Sequence, residues 1–442
     1  MKLQNTLSKR SLHIVHSKTT SMDIIKYICL VIICRLLLDA VYSSSISIAF
    51  DYARMVNERT IASSITSWVV LAILTVFTIP FALGKRDEFV SSFVLVLFIM
   101  RVIPFTSFIQ YSPQPLEFVI LSVFYWILLF TLLGFKHKGM NVKIPIKEND
   151  GVIMIISIIM MLAVVITSGV NTGFRLHFSL EDVYDLREEA RGYTGPVLLS
   201  YLVSATGNII PVLVVYYIIK KNKAMVALLA FIGFLNFGIA GQKSTIFKIL
   251  ACVAMIFFTK VDLRKHLLPF TVVFLLLTQF LYIQFDNPAL SWVFVRRMFY
   301  TPNLIDTFYY EYISQNGPLF FDSQASGELA FQISEDFINR EGNRANNGLF
   351  SDAFVNLGVL GILIMPILIS FLVRFYNNVL RGQNKSIVVF TSIIVATTLN
   401  GSFLTRSLLT HGLFLLLVTL AFMPKVENGF SSRKITNGIT NR

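Results

Sequence analysis

The most constraining feature of this sequence is its succession of long apolar runs. Soluble proteins are about 45–50% apolar and about 25% charged, whereas this chain of 442 residues is 55% apolar and 14% charged. A helix needs about 20 mostly apolar residues to cross the hydrocarbon core of a bilayer. The sequence therefore predicts an all-α, polytopic integral membrane protein and excludes a water-soluble fold.

Twelve runs are long enough for transmembrane helices. They cover residues 24–49, 61–83, 89–109, 116–135, 152–168, 196–219, 224–240, 244–259, 267–285, 351–373, 386–403 and 408–423. The first run follows a polar, basic segment and has no small-residue cleavage site after it, so we predict a retained helix with a cytoplasmic tail at 1–23. The predicted units are helices 1–5 (24–168), helices 6–9 (196–285), helices 10–12 (351–423), and a cytoplasmic C-terminal tail at 424–442.

The positive charges support this topology. The net charge is +13, from 38 Lys and Arg against 25 Asp and Glu. Twenty-three of the 38 fall in predicted inner segments and eleven in outer ones, as the positive-inside rule requires. The basic excess therefore reflects membrane topology, and we expect no nucleic-acid partner.

Two outer segments are too long for simple turns. Residues 169–195 contain SLEDVYDLREEARGYTG, which predicts a short interfacial helix in a periplasmic loop. Residues 286–350 are rich in aromatic residues and asparagine, and helical patterns at 303–314 and 325–340 predict a small helical cap over the membrane.

The outer cations suggest the chemistry, because the positive-inside rule depletes that side of Lys and Arg. Ten of the eleven are arginines, whose planar fork suits phosphate oxygens. Arg187 and Arg191 are four residues apart, on one helical face, where ion pairs with Glu188 and Asp185 are the alternative. Lys243 lies in AGQKSTIF at the start of a helix, a favourable place for phosphate, although it could be an ordinary turn residue. The diphosphate-binding candidates are Arg187, Arg191, Lys243, Arg296, Arg297 and Arg406.

Other polar residues are candidates for catalysis and sugar binding. Asp352 begins the tenth run and His411 follows Arg406 by five residues; either could accept a proton from a hydroxyl, or serve as a structural polar group. The saccharide-binding candidates are Tyr309, Tyr310, Arg344, Asn346 and Asn347, because rings cover sugar C–H faces and amides pair with hydroxyls. The same residue types are common at membrane interfaces.

Charged residues inside the runs need separate explanations. Arg35 and Asp39 have the spacing of a structural ion pair within one helix. For Lys248, snorkelling towards the interface and contact with an anion both remain open. No explanation for Arg101 follows from the sequence.

Four stretches, GQKSTIFKIL, RRMFYTPNLIDTFYYEYISQNGPLFF, NRANNGLFSDAFVNLGVLG and SFLTRSLLTHGL, resemble the Wzy-type O-antigen or oligosaccharide repeat-unit polymerases. The resemblance covers about residues 170–420. Where relatives often carry Arg in the G-x-[RK]-[ST] turn, this chain has Lys243, which keeps the charge but loses the bidentate geometry.

The resemblance implies a glycosyltransferase of the bacterial inner membrane that joins undecaprenyl-diphosphate-linked oligosaccharides on the periplasmic side. It also implies that outer arginines hold the lipid diphosphate. A flippase and a chain-length regulator are possible protein partners. The sequence lacks G-x-x-x-x-G-K-[ST], G-x-G-x-x-G and H-E-x-x-H motifs, so we expect no nucleotide, metal or other cofactor. The alternatives are an O-antigen ligase and a lipid-linked oligosaccharide flippase or other transporter.

Overall fold

A computed structural model describes residues 21–84, 86–135, 148–176, 186, 189–190, 192–193, 195–241, 248, 263–338 and 344–426. Within these ranges the regular structure is helical throughout. The helices are α1 Ser21–Val41, α2 Ile61–Ala82, α3 Glu88–Tyr111, α4 Leu116–Gly134, α5 Asp150–Thr172, α6 Val197–Ile219, α7 Lys223–Ala240, α8 Leu263–Phe285, α9 Thr301–Asn316, α10 Ser323–Ile338, α11 Phe350–Leu357, α12 Val359–Val379, α13 Lys385–Gly401, α14 Leu404–Leu408 and α15 Leu413–Phe422.

Three π-helical segments interrupt or extend these helices. The segment Tyr42–Ile46 continues α1, Phe98–Val102 lies inside α3, and Leu290–Tyr300 leads directly into α9. A π-helix widens the turn and redirects the side chains that follow, and such segments occur frequently at functional sites. All three carry residues that enter the polar networks described below.

Seven of the described helices are long and apolar enough to cross a membrane: α2, α3, α4, α5, α6, α12, and α8 over Arg264–Phe285. The first helix, α1, is comparably long but carries Lys26, Arg35 and Asp39. Three shorter apolar helices are α13, α15, and α7 over Lys223–Ile239. The predicted run 244–259 lies outside the described residues except for Lys248. The described part of the chain is thus all-helical, with seven helices suited by length and composition to span a membrane.

Polar residues set several helix starts. Thr60 accepts a hydrogen bond from the Ser63 backbone at the start of α2, and the Ser63 side chain accepts one from the Thr60 backbone. The amide oxygens of Asn149, Asn222 and Asn384 accept backbone N–H bonds at the starts of α5, α7 and α13. These side chains accept hydrogen bonds from N–H groups of the first turn, which have no partner within the helix. The start of each of these helices is therefore specified by residues next to it in the sequence.

The helix ends gather at two opposite faces of the bundle. We call the face where α1 begins the start face; the ion pair of Lys220 with Asp150 lies there, and so do the starts of α3 and α8. The opposite face, which we call the far face, holds the ion pair of Arg54 with Glu311. The charge pattern predicts that the start face is cytoplasmic. The described far-face cations are all arginines: Arg54, Arg59, Arg175, Arg296, Arg297, Arg344 and Arg406.

Two predicted spans are broken. The run predicted as one helix at 351–373 consists of α11 and α12, separated at Gly358, whose φ is +57°. A second break separates α14 from α15 at Gly412, where φ is +69°. Because α15 has ten residues, it extends only about 15 Å, half of a hydrocarbon core about 30 Å thick. The expectation of continuous helices at 351–373 and 408–423 was wrong, because hydropathy does not detect a left-handed glycine.

The predicted cap is also different in the structure. The helices expected at 303–314 and 325–340 are confirmed as α9 and α10. However, α9 is largely buried and packs against α3 and α11, so it belongs to the helical bundle and does not form a separate cover. The predicted interfacial helix in 169–195 falls mostly outside the described residues. Beyond the end of α5, Arg175 pairs with Glu189 at 2.8 Å.

Candidate functional site

Beneath the far face, a first buried polar network surrounds Arg35. Its guanidinium is fully buried and bonds Asp39 at 2.9 Å, which confirms the predicted pair. It also donates to the Thr106 carbonyl oxygen at 2.8 Å. The other carboxylate oxygen of Asp39 accepts from Ser107 Oγ at 2.6 Å, and Ser107 lies 2.9 Å from the Tyr300 hydroxyl. This network joins α1, α3 and the π segment Leu290–Tyr300.

A second buried network surrounds Arg101, the residue that the sequence left unexplained. Arg101 forms an ion pair with Asp306 of α9, and both side chains are almost completely buried. Asp306 Oδ1 also accepts from Ser351 Oγ at 2.5 Å and from Asn347 Nδ2 at 2.8 Å. Breaking a buried ion pair by removing one partner typically costs about 3–5 kcal/mol. This pair therefore anchors α9 within the bundle.

The π segments bring the two networks together. Phe98–Val102 contains Arg101, and Leu290–Tyr300 ends with the tyrosine of the first network. The ring of Tyr300 lies 4.7 Å from that of Tyr42, which belongs to the first π segment, Tyr42–Ile46. The hydroxyls of Ser45 and Ser291 are 2.7 Å apart, which ties the first π segment to the last. The π segments thus link the Arg35 and Arg101 networks beneath the far face, and we call the two linked networks the polar wall.

Gly348 determines how closely the loop before α11 approaches α13. A Cβ atom on Gly348 would lie 2.0 Å from the Leu399 carbonyl oxygen and 2.5 Å from that of Ser402. No real side chain tolerates such distances, so only glycine allows this loop to contact the end of α13. The close contact places Asn347 beside Asp306, and α11 begins immediately afterwards at Phe350.

Next to this wall, Asp352 forms the centre of a different group. Its carboxylate is buried and accepts from the Asn356 amide and from the Leu404 backbone N–H, both at 2.6 Å. Burial raises the pKa of Asp352 to about 7, although the Leu404 N–H, the Asn356 amide and the positive charge of Arg406 act in the opposite direction. The carboxylate thus joins α11 to the start of α14 and thereby positions Arg406.

Arg406 and His411 lie on either side of the last helix break. The His411 backbone N–H donates to the Arg406 carbonyl oxygen at 2.9 Å, and both side chains are half-buried. The Arg406 guanidinium passes close to α10, since a Cβ on Gly327 would lie 3.1 Å from it. An imidazole in its neutral form can accept a proton.

A polar group at the middle of α6 contacts the same break. Asn208 donates from Nδ2 to the His411 carbonyl oxygen at 2.8 Å and accepts from Lys248 Nζ at 2.6 Å. Lys248 also donates to the Gly207 carbonyl oxygen at 3.4 Å. Pro211, four residues later, has no N–H for that carbonyl, so the helix leaves an acceptor there. For Lys248 the sequence left snorkelling and contact with an anion open, and the structure shows hydrogen bonds to Gly207 and Asn208 inside the bundle.

The predicted diphosphate-binding residues are not all described. Arg187, Arg191 and Lys243 lie outside the described residues. Arg296 is half-buried, with its guanidinium carbon 4.0 Å from the centre of the Phe50 ring, whereas Arg297 is exposed. Both lie in a π segment, a different part of the far face from Arg406 in α14.

Three of the predicted saccharide-binding residues are buried, and for two of them, Tyr309 and Asn347, the burial corrects that expectation. Tyr309 is 1% exposed and donates to the Ala345 carbonyl oxygen at 2.9 Å, and Asn347 belongs to the Arg101 network. Tyr310 packs against Phe118 and Phe354. Tyr309 and Asn347 are buried because α9 lies inside the bundle, so they cannot present an open surface to a sugar. Tyr310 differs from them, because it also lines the far-face cleft described next. Arg344 and Asn346 remain exposed.

A cleft of about 410 Å³ opens on the far face beside α9. It contains the ion pair of Arg54 with Glu311, and the Arg54 guanidinium carbon lies 5.6 Å from the centre of the Phe308 ring. Further polar lining comes from Glu58, Ser112, Gln114, Thr307, Ser314 and Gln315. Its carboxylate, amide and hydroxyl groups suit a polyhydroxylated ligand better than a diphosphate.

Sequence reasoning missed Asp306, Ser351 and Asn208. The useful signal was Arg101 itself, because an intramembrane arginine requires a carboxylate or carbonyl partner. Among the described residues, no group of three or more His, Cys, Asp and Glu side chains is arranged to hold a metal ion.

Comparison with protein-family models, with curated proteins and with solved structures finds no match for this chain.

Proposed function

We propose that the protein is a membrane glycosyltransferase that joins polyprenyl-diphosphate-linked oligosaccharide repeat units into a surface polysaccharide. One observation carries the proposal: the Asp352 carboxylate bonds the Leu404 backbone N–H two residues before Arg406, and the His411 backbone N–H bonds the Arg406 carbonyl oxygen beside the break at Gly412. This brings an arginine, an imidazole and a positioning carboxylate into one part of the fold. The sequence resemblance given above points to the same chemistry, and the far-face arginines fit a diphosphate ligand.

The proposed reaction needs no activation beyond the diphosphate linkage. The acceptor hydroxyl oxygen forms a bond with the anomeric carbon of the donor while the bond from that carbon to the diphosphate oxygen breaks. The electron pair leaves with the diphosphate, and the hydroxyl proton goes to His411. Arg406 stabilises the developing charge on the leaving group. Asp352 is a positioning residue, because both of its oxygens already accept hydrogen bonds that hold α11 and α14.

The remaining candidates take supporting roles in this proposal. Arg296 and Arg297, together with Arg187, Arg191 and Lys243, hold the diphosphates of the donor and acceptor lipids. Arg344 and Asn346 contact saccharide. The proposed enzyme faces the periplasm from the bacterial inner membrane, where a flippase would supply its substrate and a chain-length regulator would act on its product.

The test is a polymerisation assay with purified protein and an undecaprenyl-diphosphate-linked oligosaccharide, without nucleotide. Wild-type protein should produce a ladder of longer products. Arg406→Gln should reduce the rate by about 100- to 1,000-fold, as expected for loss of one group that stabilises transition-state charge. Arg59→Gln is the matched control, because Arg59 is another far-face arginine whose Nε bonds Ser64 at 2.9 Å, away from Arg406.

Full activity of Arg406→Gln, or no ladder from wild-type protein, would contradict the proposal. A ligase would instead transfer finished polymer to a second lipid acceptor. Product analysis in cells lacking the protein separates the two activities, because unlinked single units accumulate without a polymerase and unattached long chains accumulate without a ligase.

One observation favours a second candidate, a transporter of lipid-linked oligosaccharide. Broken helices with polar groups near mid-depth are typical of secondary transporters, and the break at Gly412 lies beside Asn208 and Lys248. Proteoliposomes loaded with labelled lipid-linked oligosaccharide distinguish the candidates. A transporter would move single units between leaflets without lengthening them.

A further inference from the structure

A second pocket, of about 290 Å³, opens on the start face between α1, α3, α8 and the end of α2. Its polar lining consists of Asp23, Lys26, Arg264 and Lys265, and its apolar lining includes Leu30 and Ile99. It lies at the opposite end of the bundle from Arg406 and Asp352. The reaction proposed above makes no use of it.

The charges in this pocket favour an anion. Three cationic side chains and one carboxylate line it, which leaves an excess of two positive charges. In addition, Arg264 Nε is buried and has no hydrogen-bond partner within the part of the chain that the structure describes. A buried donor without an acceptor is costly, so this nitrogen is suited to a ligand oxygen. Arg264 also lies in the first turn of α8, where backbone N–H groups add positive potential.

The surroundings of the pocket are those of a lipid site. The helices α1 and α8 pack along each other, and their outer surfaces expose Ile25, Ile28, Phe270 and Val273. A soluble anion would gain nothing from these side chains, whereas acyl chains would cover them. The pocket volume is at the lower end of the range for ligand sites, about 300–1,000 Å³. It can therefore hold a headgroup but not two acyl chains.

We propose that this pocket binds the headgroup of an anionic glycerophospholipid of the leaflet at the start face. The phosphodiester oxygens contact Lys26, Arg264 and Lys265, and the Arg264 Nε supplies a fixed donor. The acyl chains leave the pocket and run along the apolar surfaces of α1 and α8. The lipid thereby links the two helices at the face that the charge pattern predicts to be cytoplasmic.

The test compares lipid retention by purified full-length variants. Wild-type protein is mixed with phosphatidylcholine vesicles with or without phosphatidylglycerol, extracted in mild detergent, and analysed by native mass spectrometry. We expect wild-type protein to retain phosphatidylglycerol in preference to phosphatidylcholine. The double variant Lys26→Gln/Arg264→Gln should bind it about 30-fold more weakly, because each cation near an anionic headgroup contributes about fivefold.

The matched control is Lys221→Gln/Lys223→Gln, which removes the same charge from exposed start-face positions outside the pocket. It should retain phosphatidylglycerol as wild-type protein does. The conservative variant Arg264→Lys should retain most of the binding, because it keeps the charge. Thermal unfolding without added lipid reports whether each variant is folded, and phosphatidylglycerol should raise the Tm of wild-type protein but not that of the Lys26/Arg264 double variant.

Equal lipid retention by wild-type protein and both double variants would overturn the proposal. So would displacement of phosphatidylglycerol by inorganic phosphate at equal concentration, because the pocket would then bind a free anion and not a lipid. Polymerisation activity is a separate readout, so loss of lipid binding leaves the proposed function open to its own test.

Discussion

The molecule contains two polar regions in which the cationic side chains have different bonding partners. In the region formed by α1, α3 and α9, Arg35 and Arg101 each contact a carboxylate inside the bundle. In the region formed by α6, α14 and α15, the described hydrogen bonds of Lys248 end on an amide and a carbonyl oxygen. The first arrangement neutralises each charge within the fold. In the second, Lys248 bonds an amide and a backbone carbonyl beside a break in the helix.

The difference gives a hypothesis about which cations are structural and which take part in the proposed function. Arg101 and Arg406 both lie in apolar parts of the sequence, yet the first is fully buried in an ion pair and the second is half-buried near Asp352. A neutralised pair has little charge left to offer a ligand. We therefore expect substitutions in the first region to change stability and substitutions in the second to change activity.

The largest expected effect comes from breaking the first region. Arg101→Met should lower the free energy of unfolding by about 3–5 kcal/mol, because the Asp306 carboxylate stays buried without its guanidinium partner. The double variant Arg101→Met/Asp306→Asn should recover more than half of that loss, since the amide can still bond Ser351 and carries no charge. Thermal unfolding in detergent measures both. A single variant as stable as wild-type protein would contradict the structural role of the pair.

An intermediate effect is expected in the second region when pH changes. The pKa of Asp352 is about 7 in the folded protein and about 3.9 in an unfolded chain, so the folded state binds the proton more tightly. The corresponding stability is complete below about pH 4 and is lost as the pH rises through about 7. Between about pH 5 and about pH 7, the free energy of unfolding should fall by about 2 kcal/mol.

The variant Asp352→Asn removes this titration and provides the control. Its thermal stability should change less with pH than that of wild-type protein over the same range. Identical pH profiles for the two proteins would show that Asp352 does not titrate there, and the proposed position of Arg406 beside a protonatable carboxylate would need revision.

The smallest effect is expected for an exposed pair outside both regions. Arg54 and Glu311 lie 3.0 Å apart, but their side chains are 55% and 43% exposed. Exposed ion pairs contribute about 0–1 kcal/mol, so Arg54→Gln should hardly change the Tm. The same substitution alters the far-face cleft. A decrease in Tm comparable to that of Arg101→Met would show that exposure does not distinguish the two kinds of pair.

Features of the fold that depend on residues close in the sequence could be predicted from the sequence. The pair of Arg35 with Asp39 was predictable, because four residues of helix bring the two side chains together. The pair of Arg101 with Asp306 was not, because 205 residues separate them and no helical period relates them. Apolar runs marked the described helices well, but the breaks at Gly358 and Gly412 depend on backbone conformations that hydropathy does not record.

The candidate site was predictable only in part. Asp352, Arg406 and His411 could be chosen from their charge and position in the sequence, but the Leu404 N–H that joins two of their helices could not. The exposed position predicted for Tyr309 was wrong, because tyrosine is common both at membrane interfaces and in buried polar networks. The positions of Arg187, Arg191 and Lys243 remain predictions.

Pro211 has a consequence for the depth of a charge in the membrane. Proline withholds one backbone proton from α6, and the acceptor left without it, the Gly207 carbonyl, receives the ammonium of Lys248 instead. Pro211 in α6 thus helps to determine how far from water the Lys248 ammonium lies. Replacing it with alanine would return the acceptor to its own helix and leave that cation freer to move towards the solvent.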